Sequence, residues 1–71
     1  MKTGIYEHYK GSRYEVIDTL RHSETEELMV LYRTMYGDRD LWARPYNMFF
    51  ENVMVNNNEV PRFKFIGKND E

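Results

Sequence analysis

The chain has 71 residues, ten basic and twelve acidic side chains, a net charge of −2 and no cysteine. A domain of this size buries only about 60% of its unfolded surface, and without thiols neither a disulfide framework nor a thiolate metal site can reinforce the thin core. The charges are mixed along the chain with no basic block, which disfavours nucleic acid as a partner without eliminating it.

Aromatic residues make up 15% of the chain, and each large ring can bury about 150–250 Å², which offsets part of the size penalty. The longest apolar run, residues 28–32, is far short of the roughly 20 residues of a membrane span. The first eight residues lack the apolar core of a signal peptide. These features lead to the expectation of a soluble cytoplasmic protein forming one domain over residues 1–71.

In chain order, residues 4–9 alternate Ile5, Glu7 and Tyr9 against Tyr6 and His8 and read as a first strand. Gly11 supplies positive φ to the turn after it. Residues 13–20 form a longer strand, with Tyr14, Val16 and Leu20 on one face. Asp18 falls on that apolar face, which predicts a bulge near Ile17 and Asp18. Ser23 followed by Glu26 has a capping-box pattern, yet the apolar run beginning at Leu28 is rich in strand formers. A turn or a polar strand start over residues 23–26 and a central strand over 27–35 follow.

Gly37 lies in a short polar loop between two apolar runs, so residues 36–40 join a hairpin whose return strand is 41–44. Pro45 is expected at the first position of a helical turn, where its missing N–H is no loss. Tyr46, Phe49 or Phe50, and Val53 then fall on one apolar face of that turn. Residues 53–55, a turn over Asn56, Asn57 and Asn58, and a strand over 60–66 complete the pattern. Phe63 and Phe65 point inward, Arg62 and Lys64 outward, with Pro61 at a strand start or edge. Residues 67–71 read as a flexible tail. The fold class expected is all-β: a small SH3-like, partly open β-barrel of about five strands with one short helical turn.

The assembled motifs are Gly4-x-Tyr6-x-His8-Tyr9-Lys10-Gly11-x-x-Tyr14-x-Val16, His22-Ser23-Glu24-x-x-Glu27 and Val30-x-Tyr32-x-x-x-Tyr36-Gly37. Trp42-x-Arg44-Pro45-x-x-Met48-Phe49-x-Glu51-x-Val53 and Arg62-Phe63-x-x-Ile66 follow. Over nearly the whole chain this order resembles the short bacterial family known as domain of unknown function 1653. The resemblance implies no activity. Asn56 to Asn58 stand where the family pattern leads one to expect a glycine, a departure that concerns the turn type.

His8, Lys10, His22, Ser23, Glu24, Thr25, Trp42 and Arg44 form the candidate binding set. Arginine fits an oxyanion bidentately, lysine adds a point charge and histidine donates from either nitrogen. In a barrel the ends of the first two strands and the Trp42 strand can converge. The plainer alternative makes His8 and Lys10 solvated residues and His22 to Thr25 a turn held by local side-chain to backbone bonds. Arg44 could also stack on Trp42 or Tyr46, or bond Glu51.

A second set is aromatic, namely Tyr6, Tyr9, Tyr32, Tyr36, Trp42 and Tyr46. Such rings line peptide and single-strand grooves or simply fill a core. Tyr6, Tyr36 and Trp42 are the ones expected near a surface.

Catalysis by Ser23 or Thr25 with a histidine base finds little support, since Ser23 and His22 are neighbours that a strand turns to opposite faces. No phosphate loop, nucleophile elbow or zinc-spaced histidine pair is present. The function expected is a non-enzymatic binding module for a polar or anionic small ligand or a partner chain, with no cofactor and no metal. The alternatives are a self-associating module, such as a homodimer, pairing through the first strand or the strand bearing residues 61–66, and an accessory to a nucleotide-processing or hydrolytic enzyme.

Overall fold

The computed structural model describes residues 1–68. The described elements are β1 (Gly4–His8), β2 (Arg13–Arg21), β3 (Leu28–Thr34), β4 (Leu41–Pro45), α1 (Tyr46–Phe49), β5 (Asn52–Val55), β6 (Asn58–Pro61) and β7 (Phe63–Gly67). Five strands form one antiparallel sheet in the order β4-β3-β2-β1-β7, and β5 with β6 forms a separate ribbon. The all-β class holds. The strands number seven rather than five among the described residues, and no ladder joins β4 to β7 to close a barrel.

The surplus arises partly because the expected strand 60–66 breaks at Arg62. That residue donates its backbone N–H to the Glu51 carbonyl (3.0 Å) and accepts from the Tyr9 N–H (3.0 Å), so it hands the chain from the ribbon to the main sheet. The first strand is not an edge, since β1 lies between β2 and β7.

Along β2 the register shifts, with Val16 opposite Tyr32 and Asp18 opposite Leu31, leaving Ile17 as the extra residue of a bulge. The bulge stands where Asp18 predicts it, and it reverses the facing of everything after it. Thr19 therefore sits opposite Val30, while Leu20 turns with Met29 to the outer face and is 37% exposed. This corrects the expectation that Leu20 shares a face with Tyr14 and Val16.

The β1–β2 turn follows the glycine signal, with Gly11 at φ +108°. In the ribbon, Asn56 and Asn57 adopt φ of 52° and 67° between the paired residues Val55 and Asn58. Positive φ at both central positions is the two-residue hairpin geometry that asparagine tolerates. Glycine is not needed there.

Tyr6, Val16, Val30, Tyr32, Phe49 and Phe63 form the core. Pro45 is the last residue of β4, extended at φ −52° and ψ 137°, and the helical turn begins at Tyr46 rather than at the proline. That turn seats Phe49 at 0% exposure. The Phe49 ring stacks parallel to Phe63 at 4.0 Å between centroids and meets Tyr6 edge-on at 5.7 Å. Tyr46 and Phe50 pack around this cluster, whereas Val53 belongs to β5 and not to the helical face. Of the expected tail, Gly67 instead pairs with Ile5 in β7, and residues 69–71 lie outside the described residues.

Candidate functional site

Residues directly opposite one another in an antiparallel ladder share a face of the sheet. His8 is opposite Phe63, Tyr6 opposite both Tyr14 and Phe65, and Tyr14 opposite Thr34. Val16 is opposite Tyr32, Tyr32 opposite Trp42, and Val30 opposite Arg44. The face that buries Tyr6, Val16, Val30 and Tyr32 is thus also the face that carries His8, Trp42 and Arg44. We call it the inner face.

His8 is half-buried, its ring edge-on to Phe63 at 5.0 Å and against Tyr9 at 4.4 Å. Its Nδ1 accepts the backbone N–H of Lys10 at 3.2 Å, which leaves the proton of the neutral ring on Nε2. Burial holds its pKa below the usual 6.5, and the positive charges of Arg44, Arg62 and Lys10 push the same way. The result is a neutral imidazole with a donor at Nε2. Lys10 serves His8 through its backbone, while its own ammonium lies 5.8 Å from the centroid of the Tyr9 ring.

Arg44 is half-buried, its guanidinium carbon 5.6 Å from the centroid of the Phe63 ring. Among the described residues it has no hydrogen bond and no ion pair, and its Nε is buried without a partner. Neither Trp42, Tyr46 nor Glu51 holds it, contrary to the sequence alternatives. Glu51 is taken by Arg62, whose Nη2 lies 2.6 Å from the carboxylate. Two guanidinium groups therefore act on His8, and only one is neutralised.

Trp42 is 53% exposed at the rim of this face. Nearby, the Tyr14 and Tyr36 hydroxyls are hydrogen-bonded at 3.1 Å. Burial, reinforced by the Tyr36 hydroxyl, pushes the Tyr14 phenol up to about 12. Tyr36 and Trp42 are exposed as expected, whereas Tyr6 is buried at 4% and belongs to the core.

His22, Ser23, Glu24 and Thr25 are not brought to His8. They occupy the β2–β3 turn, where His22 Nδ1 accepts the backbone N–H groups of Glu24 (3.1 Å) and Thr25 (3.3 Å). Thr25 Oγ1 in turn accepts from the Glu27 N–H at 3.2 Å. His8 adjoins the start of β2, because Glu7 pairs with Arg13. The nine residues of β2, at about 3.3 Å each, carry His22 roughly 25–30 Å away.

Two polar residues that bear on this face, Arg62 through its charge on His8 and Tyr14, were not in the candidate set. Arg62 reads from alternation as an outward residue and gives no other signal. Tyr14 carries a signal, being on the same strand face as Val16, but not a functional one. A hollow of about 430 Å³ bordered by His8, Tyr9, Val55, Val60, Pro61 and Lys64 lies between the ribbon and the end of β1. Neither Arg44 nor Trp42 lines it.

Among the described residues, two antiparallel sheets and a single turn of helix, with a basic, aromatic inner face, define a small all-β domain. The chain belongs to the family described as Protein of unknown function (DUF1653), whose family model matches residues 4–65. A crystal structure of a protein of this family from Bordetella bronchiseptica is similar over 100% of this chain and 94% of that one, with a TM-score of 0.89 at 29% identity. A search of curated proteins finds no match.

Proposed function

We propose that this chain is a non-enzymatic binding module whose inner face takes a polar or anionic ligand. Arg44 is the principal contact, His8 a second donor through Nε2, Lys10 an outlying charge, and Trp42 an exposed ring on which a planar group can lie. One observation carries this reading. Among the described residues the guanidinium of half-buried Arg44 has no hydrogen bond and no carboxylate, and an unsatisfied buried donor costs about 1–3 kcal/mol. An oxyanion would satisfy it by a charge-assisted bond. Arg62 adds field but is already paired with Glu51, and Glu7 is engaged by Arg13 at 3.1 Å. His22, Ser23, Glu24 and Thr25 fall outside the site so defined.

The partly open barrel belongs to the same proposal. Its support is that Arg44 stands on β4 and Phe63 on β7, the two outer strands of the main sheet, with the guanidinium carbon 5.6 Å from the ring centroid. A bacterial origin accords with the Bordetella bronchiseptica relative, and a cytoplasmic setting with the cysteine-free sequence. No helix among the described residues is long and apolar enough to cross a membrane.

Trp42 is the single tryptophan, so its fluorescence reports on this face directly. Titration with inorganic phosphate, nucleotides and short acidic peptides should give a saturable change with at least one probe, and Arg44→Ala should abolish it. An unchanged emission with every probe up to millimolar concentration would count against the proposal.

A further inference from the structure

β4 is an outer strand of the main sheet, with no strand on its far side among the described residues. The ladder fixes which of its groups point there. Thr34 donates its backbone N–H to the Asp40 carbonyl at 3.3 Å, so the hydrogen-bonded pairs are Thr34 with Asp40, Tyr32 with Trp42 and Val30 with Arg44. Leu31 with Ala43 and Arg33 with Leu41 are the alternating unbonded pairs. The N–H and C=O of Leu41 and Ala43, and the carbonyl of Pro45, therefore point away from β3.

Edge strands are commonly blunted by lysine, by proline or by a bulge. β7, the opposite edge, carries Lys64, and its pairing with β1 shifts between Ile5 and Tyr6. β4 has no lysine and no register shift, and its proline stands at the last position. Leu41 and Trp42 on it are each 53% exposed. Before Pro45 the edge has none of these three devices, and its one charge, Arg44, stands on the inner face.

We propose that β4 pairs antiparallel with β4 of a second copy, on a two-fold axis through Ala43. This axis joins the two Ala43 residues by reciprocal N–H···O bonds and lets each Leu41 N–H reach the Pro45 carbonyl of the other copy. Pro45 lies opposite Leu41, where its missing N–H leaves one acceptor unused and creates no clash. Trp42 of each copy falls opposite Arg44 of the other, on the inner face. An indole beside a guanidinium is an attractive pair, and among the described residues Trp42 has no ring or cation partner while Arg44 has only the Phe63 ring. An axis through Arg44 would set two like charges opposite each other. The segment Trp42-Ala43-Arg44 is self-complementary about its middle residue, as an isologous interface requires. The backbone bonds of this pairing use the flank of β4, while its Trp42–Arg44 contacts share the inner face with the proposed ligand; the ladder itself does not rest on that reading.

Because the chain has no cysteine, single cysteines can locate the axis. Across a hydrogen-bonded antiparallel pair the Cα atoms are about 5.5 Å apart, within the disulfide range. Under mild oxidation of the full chain, Ala43→Cys should form a disulfide-linked dimer at least roughly ten-fold faster than Met54→Cys, an exposed control (67%) on the ribbon. Trp42→Cys should link no faster than that control. Ala43→Pro deletes an N–H that β3 does not use, so light scattering should show its association lost with the circular dichroism unchanged. If Ala43→Pro unfolds, the cysteine rates decide alone. A monomer mass for the unsubstituted chain up to millimolar concentration, or Ala43→Cys linking at the control rate, would overturn the pairing. Fastest linking at Trp42→Cys would overturn the axis.

Discussion

The guanidinium carbon of Arg44 lies 5.6 Å from the centroid of the Phe63 ring, across the gap between the two free edges of the main sheet. Phe63 is in turn stacked on Phe49 at 4.0 Å with the rings 3° from parallel. The Arg44 guanidinium is thus placed by β4, seated on β7 and backed by the helical turn. Its Nε has no partner. Packing fixes the position of Arg44 and leaves its hydrogen-bonding capacity unspent.

Arg44→Ala separates these roles. A cation over a ring is worth about 0.5–1 kcal/mol at an exposed site, and deleting it also removes an unsatisfied buried donor that costs about 1–3 kcal/mol. The two offset, so urea denaturation should show a stability change of less than about 1 kcal/mol while ligand-induced Trp42 fluorescence is lost. A loss above about 3 kcal/mol, in the range of core truncations, would make Arg44 a packing residue.

His8 gives a pH dependence of definite sign. Its pKa in the fold is below 6.5 because of burial, then Arg44, Arg62 and Lys10, so the unfolded chain takes up the proton first as pH falls. The contribution of His8 to stability is fully present above about pH 6.5 and is lost as pH falls through the lower folded value. Proton NMR titration of the His8 ring should show this depressed midpoint, and Arg44→Ala should raise it. A midpoint unmoved by that substitution would mean the guanidinium does not act on the ring.

The Tyr14 phenol works in the opposite direction. It is held at about 12, chiefly by burial and next by the Tyr36 hydroxyl, so the unfolded chain loses this proton first, near pH 10. Stability present below about pH 10 should therefore be lost as pH rises toward 12. Tyr36→Phe removes the 3.1 Å bond and should lower the Tyr14 midpoint in an ultraviolet titration. An unchanged midpoint would leave burial as the whole cause.

Gly4 tests the junction of β1 and β7. It sits at φ +134°, and a Cβ there would lie 2.5 Å from the Gly67 carbonyl oxygen. Backbone, not a flexible side chain, stands in the way, so Gly4→Ala should cost more than about 2 kcal/mol in chemical denaturation. A neutral substitution would mean that this end of β7 yields easily.

Several of these relationships are legible in the residues themselves. Trp42 and Arg44 stand two apart on a strand, which is enough to put them on one face. Asp18 on an apolar stripe marks the bulge at Ile17. The wide separation of His8 from His22 is also contained in the order of elements. A tight turn at Gly11 sets His8 beside the start of β2, and a nine-residue strand then carries the chain away from it. Convergence of both histidines at one barrel mouth is incompatible with that geometry.

The break at Arg62 was not legible, because alternation from Val60 to Ile66 runs through it without interruption. Only the long-range bonds to Glu51 and Tyr9 show that the chain changes sheets there. The same bonds bring Arg62 near His8, which no local pattern announces.

The central claim is that Arg44, His8 and Trp42 act together as a surface for a polar or anionic ligand. A ¹⁵N-resolved NMR titration with inorganic phosphate, an adenine nucleotide and a short acidic peptide tests it most directly. Saturable shifts with at least one probe should centre on the Trp42 indole N–H, the Arg44 side chain and His8, with residues 22–25 unmoved. Absence of saturable shifts with all three, or shifts centred on residues 22–25 or on the β5–β6 ribbon, would contradict the account.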